Sequence, residues 1–413
     1  MPGSSVDIAV VGAGIAGLSA ARALKQRDVD FTLIEASHRI GGRAYTEDVM
    51  PGLPLDLGCH WLHSASLNPF VEIAHRHGFH YDSSGKRGAV FASGDWAGAD
   101  QLTEIEDFLD RNHKRMEALP EDGEDRAVID MTDRDSPWTA LFDYEVSLDM
   151  SHDPDAVSVR DVLAYRKSGE DWPVKEGFGA LIVRCFGDLP VTLNAAVERI
   201  DWSGPKVRLV TRRGEVSAKK VIITASTGIL EGGDIRFDPQ LPDWKNEAIS
   251  SLPLGNHNRI YLIFDRDVFG EEVPGRVAVL NGDGAPIRFY IRPFGYNIVH
   301  GMTGGRFADW LERAGVEASA DFAMQKLREA FGSSITRHVV RHLVTAWRGD
   351  PWVKGAYSAA RPGQSHQRRM LARPIDDCLY FAGEACSSNS YATAHGAYLS
   401  GIEAAEEAAA SLT

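Results

Sequence analysis

The glycines of Gly12-Ala13-Gly14-Ile15-Ala16-Gly17 have the spacing that lets a backbone turn hold a pyrophosphate. Gly12 permits a sharp turn, Gly14 lets main-chain N–H groups approach a phosphate, and Gly17 lets a helix pack closely on its strand. The positive end of that helix then faces the anion. Glu35 stands a little over about 20 residues further on, where an acid bonds a ribose hydroxyl. The chemistry implied is the holding of a dinucleotide.

Three elements must position these residues. Val6 to Val11 is a short β-branched run and predicts a strand, and the Ala/Leu/Arg segment after Gly14 predicts a helix. Phe31 to Glu35 predicts a second strand. Strand, turn, helix and terminal acid all fall where a dinucleotide fold needs them.

The rest of the chain sets bounds. At 413 residues the natural expectation is two domains. Hydrophobic content of 44% and charged content of 25% describe an ordinary globular protein. A formal net charge of -14 argues against nucleic acid, since no basic surface would release counterions from phosphates. Cys59, Cys185, Cys378 and Cys386 are scattered without metal-ligand spacing, and read as reduced thiols of a cytoplasmic protein. No metal site is expected. No stretch reaches the roughly 20 uninterrupted apolar residues of a membrane span, and no secretion signal precedes Val6. Monomer and homodimer both stay open.

Further motifs carry a family resemblance. Arg39-Ile40-Gly41-Gly42-Arg43 resembles the GGR motif of flavoproteins of the glutathione-reductase-like class. That resemblance implies FAD, with Gly42 passing near the dinucleotide and Arg43 balancing phosphate charge or supporting the flavin. Ala16, Ala36 and Arg39 join the implied cofactor set. The segment LDLGCHWLHSASLNP, from Leu55, resembles the flavin-containing amine oxidase family, and its polyamine oxidase branch most. Trp61 and His63 would border the substrate channel. His63 either orients a substrate nitrogen or is a hydrogen-bonded structural histidine, and the sequence leaves both open. A sister branch carries a carboxylate-gripping arginine in this region. None lies between Arg43 and Arg76, so a carboxylate-bearing substrate loses support.

In the same resemblance Val197 would meet the adenine through its main chain. Arg259 stands where family members usually place a lysine that holds a water against flavin N5; a shifted loop would bring His257 or Asn258 there instead. The segment AWRGDPWVKGAY implies that Trp347 and Trp352 pack around the flavin and the entrance, with Tyr357 as one wall of an aromatic cage. Ala356 replaces the cysteine of covalent members, so the FAD is expected to be non-covalent. In FAGEACSSNSYATAHGA, Gly383 and Glu384 would reach the cofactor's sugar or ribitol, and Ala394 would open a helix facing the flavin. Thr393 replaces a second cage tyrosine, leaving a one-sided cage or one completed by Tyr391. These last pieces match polyamine oxidases and histone demethylases.

The expected fold is α/β: a glutathione-reductase-like FAD-binding Rossmann domain (1–75, 176–235, 346–413) with an inserted α+β substrate domain (76–175, 236–345). Within the latter, 85–135 reads as an insertion with an amphipathic helix and an acidic surface loop. The implied reaction is hydride transfer from the carbon beside a small-molecule amine to flavin N5. Imine hydrolysis and reoxidation by molecular oxygen to hydrogen peroxide would follow. Tyr357, Arg259, His63, Trp352 and Thr393 are the catalytic candidates. Rival readings are a desaturase or oxygen-avoiding dehydrogenase, and a non-catalytic flavin scaffold.

Overall fold

In the computed structural model, which describes residues 4–85, 88–120, 123–280 and 285–412, β1 (Ser4–Val11) turns directly into α1 (Ile15–Gln26). β2 (Phe31–Ile34) returns parallel to β1, with Val10 opposite Leu33. Ile8, Ala9 and Val10 are wholly buried, as a strand covered on both faces requires. Gly214–Ile223 pairs parallel to the other side of β1, and Leu379–Phe381 pairs parallel to the end of that same strand. Val197–Asp201, Val207–Thr211 and Gly214–Ile223 run antiparallel in succession as a meander. Distant stretches of chain thus build one eight-stranded sheet.

The C-terminal helix, Ala394–Ala410, crosses α1 at close range. A Cβ at Gly401 would overlap the Ala16 carbonyl oxygen, and Ser19 Oγ donates to Tyr398 O at 2.8 Å. Phe70, Phe178, Leu181 and Ile182 fill the core beside this helix pair.

A second, seven-stranded sheet runs in the order Val339–Val344, His257–Phe264, Ile298–Gly304, Ile287–Ile291, Arg276–Val279, Gly88–Ala92, Asp95–Trp96. Side chains alternate between its faces. Ile260, Leu262, Phe289 and Val299 pack with Leu311 and Leu327 of the helices Gly305–Ala314 and Val316–Phe331. Arg259, Arg288, Tyr290 and Met302 occupy the alternate positions and line a cavity.

One local expectation changes. Gly88–Ala92 is no insertion loop but a strand parallel to Arg276–Val279, with Phe91 buried; its small residues conceal a role that only the partner strand confers. The chain leaves this sheet at Gly304, where a Cβ would overlap Ser147 O, and Trp310 lies on the helix that follows. The amphipathic helix expected within 85–135 runs Ala99–Glu117. Part of the expected acidic loop, at 121–122, lies outside the described residues. No described helix is long and apolar enough to cross a membrane.

Candidate active site

One cavity of about 1030 Å³ runs between the two sheets. That is at the upper end for ligand pockets, roughly 300–1,000 Å³, and suits a long ligand with a second molecule beside it. Its walls join residues from both ends of the chain.

At one end lies the dinucleotide turn. Gly12 adopts φ +99°, which favours glycine, and a Cβ there would press on Thr224 Oγ. A Cβ at Gly14 would meet no protein atom, because Gly14 faces the cavity. Gly14 is also the N-cap of α1 and offers no side-chain acceptor, so the helix's first N–H groups stay free of a cap. Ala16, Ala36, Arg39, Gly42 and Val197 line the same end. Gly17 alone of the expected cofactor residues does not line the cavity. A Cβ there would overlap Gly12 O, so its place is packing beneath the turn.

Glu35 accepts from Ala13 N at 2.6 Å and from Ser37 N at 2.7 Å. Burial raises its carboxyl above the usual range, against the pull of those N–H groups and Arg39. Two of roughly four acceptor positions are used, leaving capacity for hydroxyls. Glu384 differs. It accepts from Arg43 Nη1 at 2.9 Å, Ser358 N at 3.2 Å, Ser358 Oγ at 2.7 Å and Ala392 N at 2.9 Å. Its acceptor positions are filled, so it ties segments together rather than offering a free oxygen to a sugar. Arg43 also donates to Ala356 O at 2.6 Å. Arg39 donates to Gly42 O at 2.8 Å and lies over the Tyr45 ring, shaping the loop.

Midway, the cavity meets Gly383, Thr393 and Ala394. A Cβ at Gly383 would meet no protein atom. Thr393 Oγ accepts from Gly396 N at 3.0 Å and donates to Ser390 O at 2.6 Å. Its hydroxyl is therefore committed to capping the C-terminal helix.

At the far end, Tyr357 lines the cavity with its hydroxyl donating to Leu148 O and 2.9 Å from His257 Nδ1. Burial, and then the Arg259 charge, push His257 down to about 3, so it is neutral at working pH. Trp61 is buried, 5.2 Å from the Tyr290 ring, and the Arg259 guanidinium lies 4.7 Å above it. Arg259 is 5% exposed, and its Nη1 has no hydrogen-bond partner among the described residues. His63 lines the cavity with Nδ1 2.9 Å from Asp171. Trp347 is buried, with Nε1 donating to Leu57 O at 2.9 Å, whereas Trp352 stands 39% exposed at the rim.

Tyr391 lines the cavity with its hydroxyl committed. Its hydroxyl donates to Asp161 O at 2.6 Å, and the Arg368 guanidinium lies 3.8 Å over its ring. Tyr165, edge-on to Tyr391 at 5.4 Å, lines the cavity beside it. Sequence reasoning missed Tyr165, Arg276, Arg288 and Tyr290. In IRFYI the strict alternation of Arg288 and Tyr290 with Ile287, Phe289 and Ile291 was the available signal.

Residues 106–409 match the family described as flavin containing amine oxidoreductase, and residues 10–76 match an NAD(P)-binding Rossmann-like domain. The chain belongs to the flavin-containing amine oxidoreductase family. It is 29% identical to probable polyamine oxidase 4 of Arabidopsis thaliana, over 97% of this chain and 86% of that relative. Polyamine oxidase 5 of Oryza sativa subsp. japonica is 30% identical, over 98% of this chain and 88% of its own length. Lysine-specific histone demethylase 2 of Homo sapiens is 26% identical, but the match spans only 53% of that protein. Putrescine oxidase bound to putrescine shares the fold, with TM-score 0.82 and 18% identity over 98% of this chain and 99% of that one.

The Rossmann-type α/β fold, the FAD cofactor and the amine oxidase class expected from the sequence therefore hold, and the desaturase or dehydrogenase alternative is not favoured. The residues present fit FAD: Gly14 and Gly383 face open cavity where a side chain would intrude, and α1 presents an uncapped N-terminus.

Proposed function

We propose that the protein oxidises the C–N bond of an aliphatic amine at the Trp61–Tyr357 end of the cavity, with molecular oxygen as acceptor and hydrogen peroxide as product. The observation that carries this is the continuity of one cavity from Gly14 to Tyr357. A dinucleotide held by its phosphates at Gly14 would reach the aromatic end with its far ring.

FAD bound there would supply the two-electron oxidation of the amine's C–N bond. Glu35 is proposed to bond the ribose hydroxyls through its free acceptor positions. Ala16, Ala36, Arg39, Gly42, Val197, Trp347 and Ala394 would complete the cofactor wall. Arg43 and Glu384 hold the loops that shape it, and Thr393 sets the N-terminus of the C-terminal helix toward it. Tyr357 and Trp61 exclude water and orient the amine, Trp352 borders the entrance, and His63 with Asp171 holds the channel wall.

No side chain need act as a strong base. His257 is neutral and Tyr357 is held protonated by burial, so the neutral amine is the species that reacts. Segments 1–75, 176–235 and 346–413 are proposed as the cofactor part, and 76–175 and 236–345 as the substrate part. The four free cysteines support a reducing, cytoplasmic setting. The relatives' names make polyamines the first substrates to try. The test is anaerobic mixing of the yellow holoenzyme with an amine panel; absence of flavin bleaching by every amine would refute the proposal.

A further inference from the structure

Arg368 is 1% exposed and carries its charge wholly inside the protein. Its guanidinium grips the equally buried Asp161 with two parallel bonds, Nε to Oδ1 and Nη2 to Oδ2, each 2.7 Å. The two come from distant stretches, Asp161 from the helix Val159–Ala164 and Arg368 from Gln367–Ala372. Neither side chain is among those lining the cavity.

Replacing a buried ion pair by apolar side chains is often neutral or stabilising, so stability alone does not call for this one. What the planar fork adds is direction. Nη1 donates to Ser358 Oγ at 3.0 Å, and that hydroxyl donates to Glu384 Oε2 at 2.7 Å. The guanidinium carbon lies 3.8 Å from the centre of the Tyr391 ring, whose hydroxyl donates to Asp161 O at 2.6 Å. Asp161 Oδ2 also accepts from Ala360 N at 2.8 Å. The pair thus holds Tyr391 by its face and by its hydroxyl, and through Ser358 it reaches Glu384 and the residue next to Tyr357. Tyr357, Glu384 and Tyr391 all line the cavity. A lysine, a point charge without a plane, could not make these contacts at once.

From this geometry we propose that Arg368, paired with Asp161, is a positioning residue. It fixes the Tyr391 wall relative to the Tyr357 and Glu384 walls, and so sets where the amine lies against the flavin. The inference rests on the amine oxidation proposed above and adds to it a residue that touches neither substrate nor cofactor. A misplacement of about 1 Å can cost about a hundredfold in rate, so loss of this link is read in the limiting rate more than in binding.

The experiment uses the holoenzyme of the wild type, Arg368→Met, Arg368→Lys, Ser358→Ala and the double variant Asp161→Asn with Arg368→Met. Three quantities are measured for each: anaerobic flavin reduction against concentration of the fastest amine of the panel above, thermal unfolding, and visible circular dichroism of the bound flavin without substrate. Arg368→Met leaves the Asp161 carboxylate buried without its partner and is expected to be the least stable. The double variant removes both charges, keeps an acceptor for Ala360 N, and is expected to unfold at a higher temperature than that single variant. The limiting reduction rate is nevertheless expected to stay about tenfold or more below wild type in both, and in Arg368→Lys. In Ser358→Ala it is expected to fall about threefold, and in every variant the half-saturating amine concentration should change by less than about threefold. The flavin dichroism should change in all of them.

A double variant that regains stability and the wild-type rate together would make the pair merely structural and overturn the proposal, as would a wild-type rate in Arg368→Lys. Should the Arg368 variants fail to fold or lose FAD, Ser358→Ala decides, and an unchanged limiting rate with unchanged dichroism there overturns it. Should no amine reduce the wild-type flavin, the proposed function fails by itself. The substrate-free dichroism then decides whether Arg368 sets the flavin site, and an unchanged spectrum in every variant overturns the inference.

Discussion

Arg43 and Glu384, 341 positions apart, form an ion pair with 2.9 Å between Nη1 and Oε1. Around it gather the GGR loop, Ser358 beside the Tyr357 wall, and Ala392 just before the C-terminal helix. The carboxylate side chain is 5% exposed and Arg43 29%, so the pair is only partly screened. Glu384→Ala should cost about 3 kcal/mol, the lower end for breaking a buried pair by removing one partner. Thermal unfolding and flavin content per chain check this; an unchanged midpoint with full flavin content would show that the hub is dispensable.

Gly14→Ala and Gly17→Ala should fail differently. A methyl at Gly17 overlaps backbone at Gly12, whereas one at Gly14 meets only open cavity. Gly17→Ala should lower the melting temperature of the flavin-free protein or prevent folding. Gly14→Ala should fold with an unchanged flavin-free melting temperature and lose most of its FAD affinity. Circular dichroism melts and flavin titration separate the two.

Tyr357→Phe keeps the ring and removes a hydroxyl that donates to Leu148 O and meets His257. A stability loss of about 1 kcal/mol is expected, with the flavin-reduction rate changed by only a few-fold. Tyr357→Ala removes the wall itself and should slow flavin reduction by about tenfold or more while FAD stays bound. Stopped-flow reduction rates for both variants decide whether the face or the hydroxyl matters.

The rate of flavin reduction should rise with pH along the titration of the amine. Burial holds the Tyr357 hydroxyl protonated and His257 neutral, so neither titrates in the working range. Two amines of different basicity should give inflections that move with the amine's own pKa. An inflection common to both would point to an enzyme group.

Acid should destabilise the fold through its buried histidines. Burial pushes His257 down to about 3 and His395 down to about 4, both below the usual value of about 6.5. The unfolded chain therefore takes up protons first as pH falls. The stability these groups contribute is whole above about 6.5 and declines from there toward 4 and 3. Urea midpoints measured from pH 8 to 5 should fall on the acid side, and His257→Gln should reduce the slope.

The nucleotide end of the site was legible in the sequence because its demands are local. Gly12, Gly14 and Glu35 follow one another along a strand, a turn and a second strand, and their spacing is their geometry. Trp61, His63, Trp347 and Tyr357 were legible through longer motifs. The tyrosine beside Thr393 shows the limit. Tyr391 looks available in the sequence, yet Asp161 and Arg368 hold it, and both come from elsewhere in the chain.

The sequence by itself determined the cofactor fold, the family and the residues of the dinucleotide turn, since short-range spacing dictates turns and helix ends. Only the tertiary structure decided which side chains are already spent and which are free. Glu384 proved saturated and Thr393 committed to a cap, while Glu35 kept acceptor positions free. Charge balance inside a cavity depends on strand register and on partners tens to hundreds of residues away, and no local pattern encodes it.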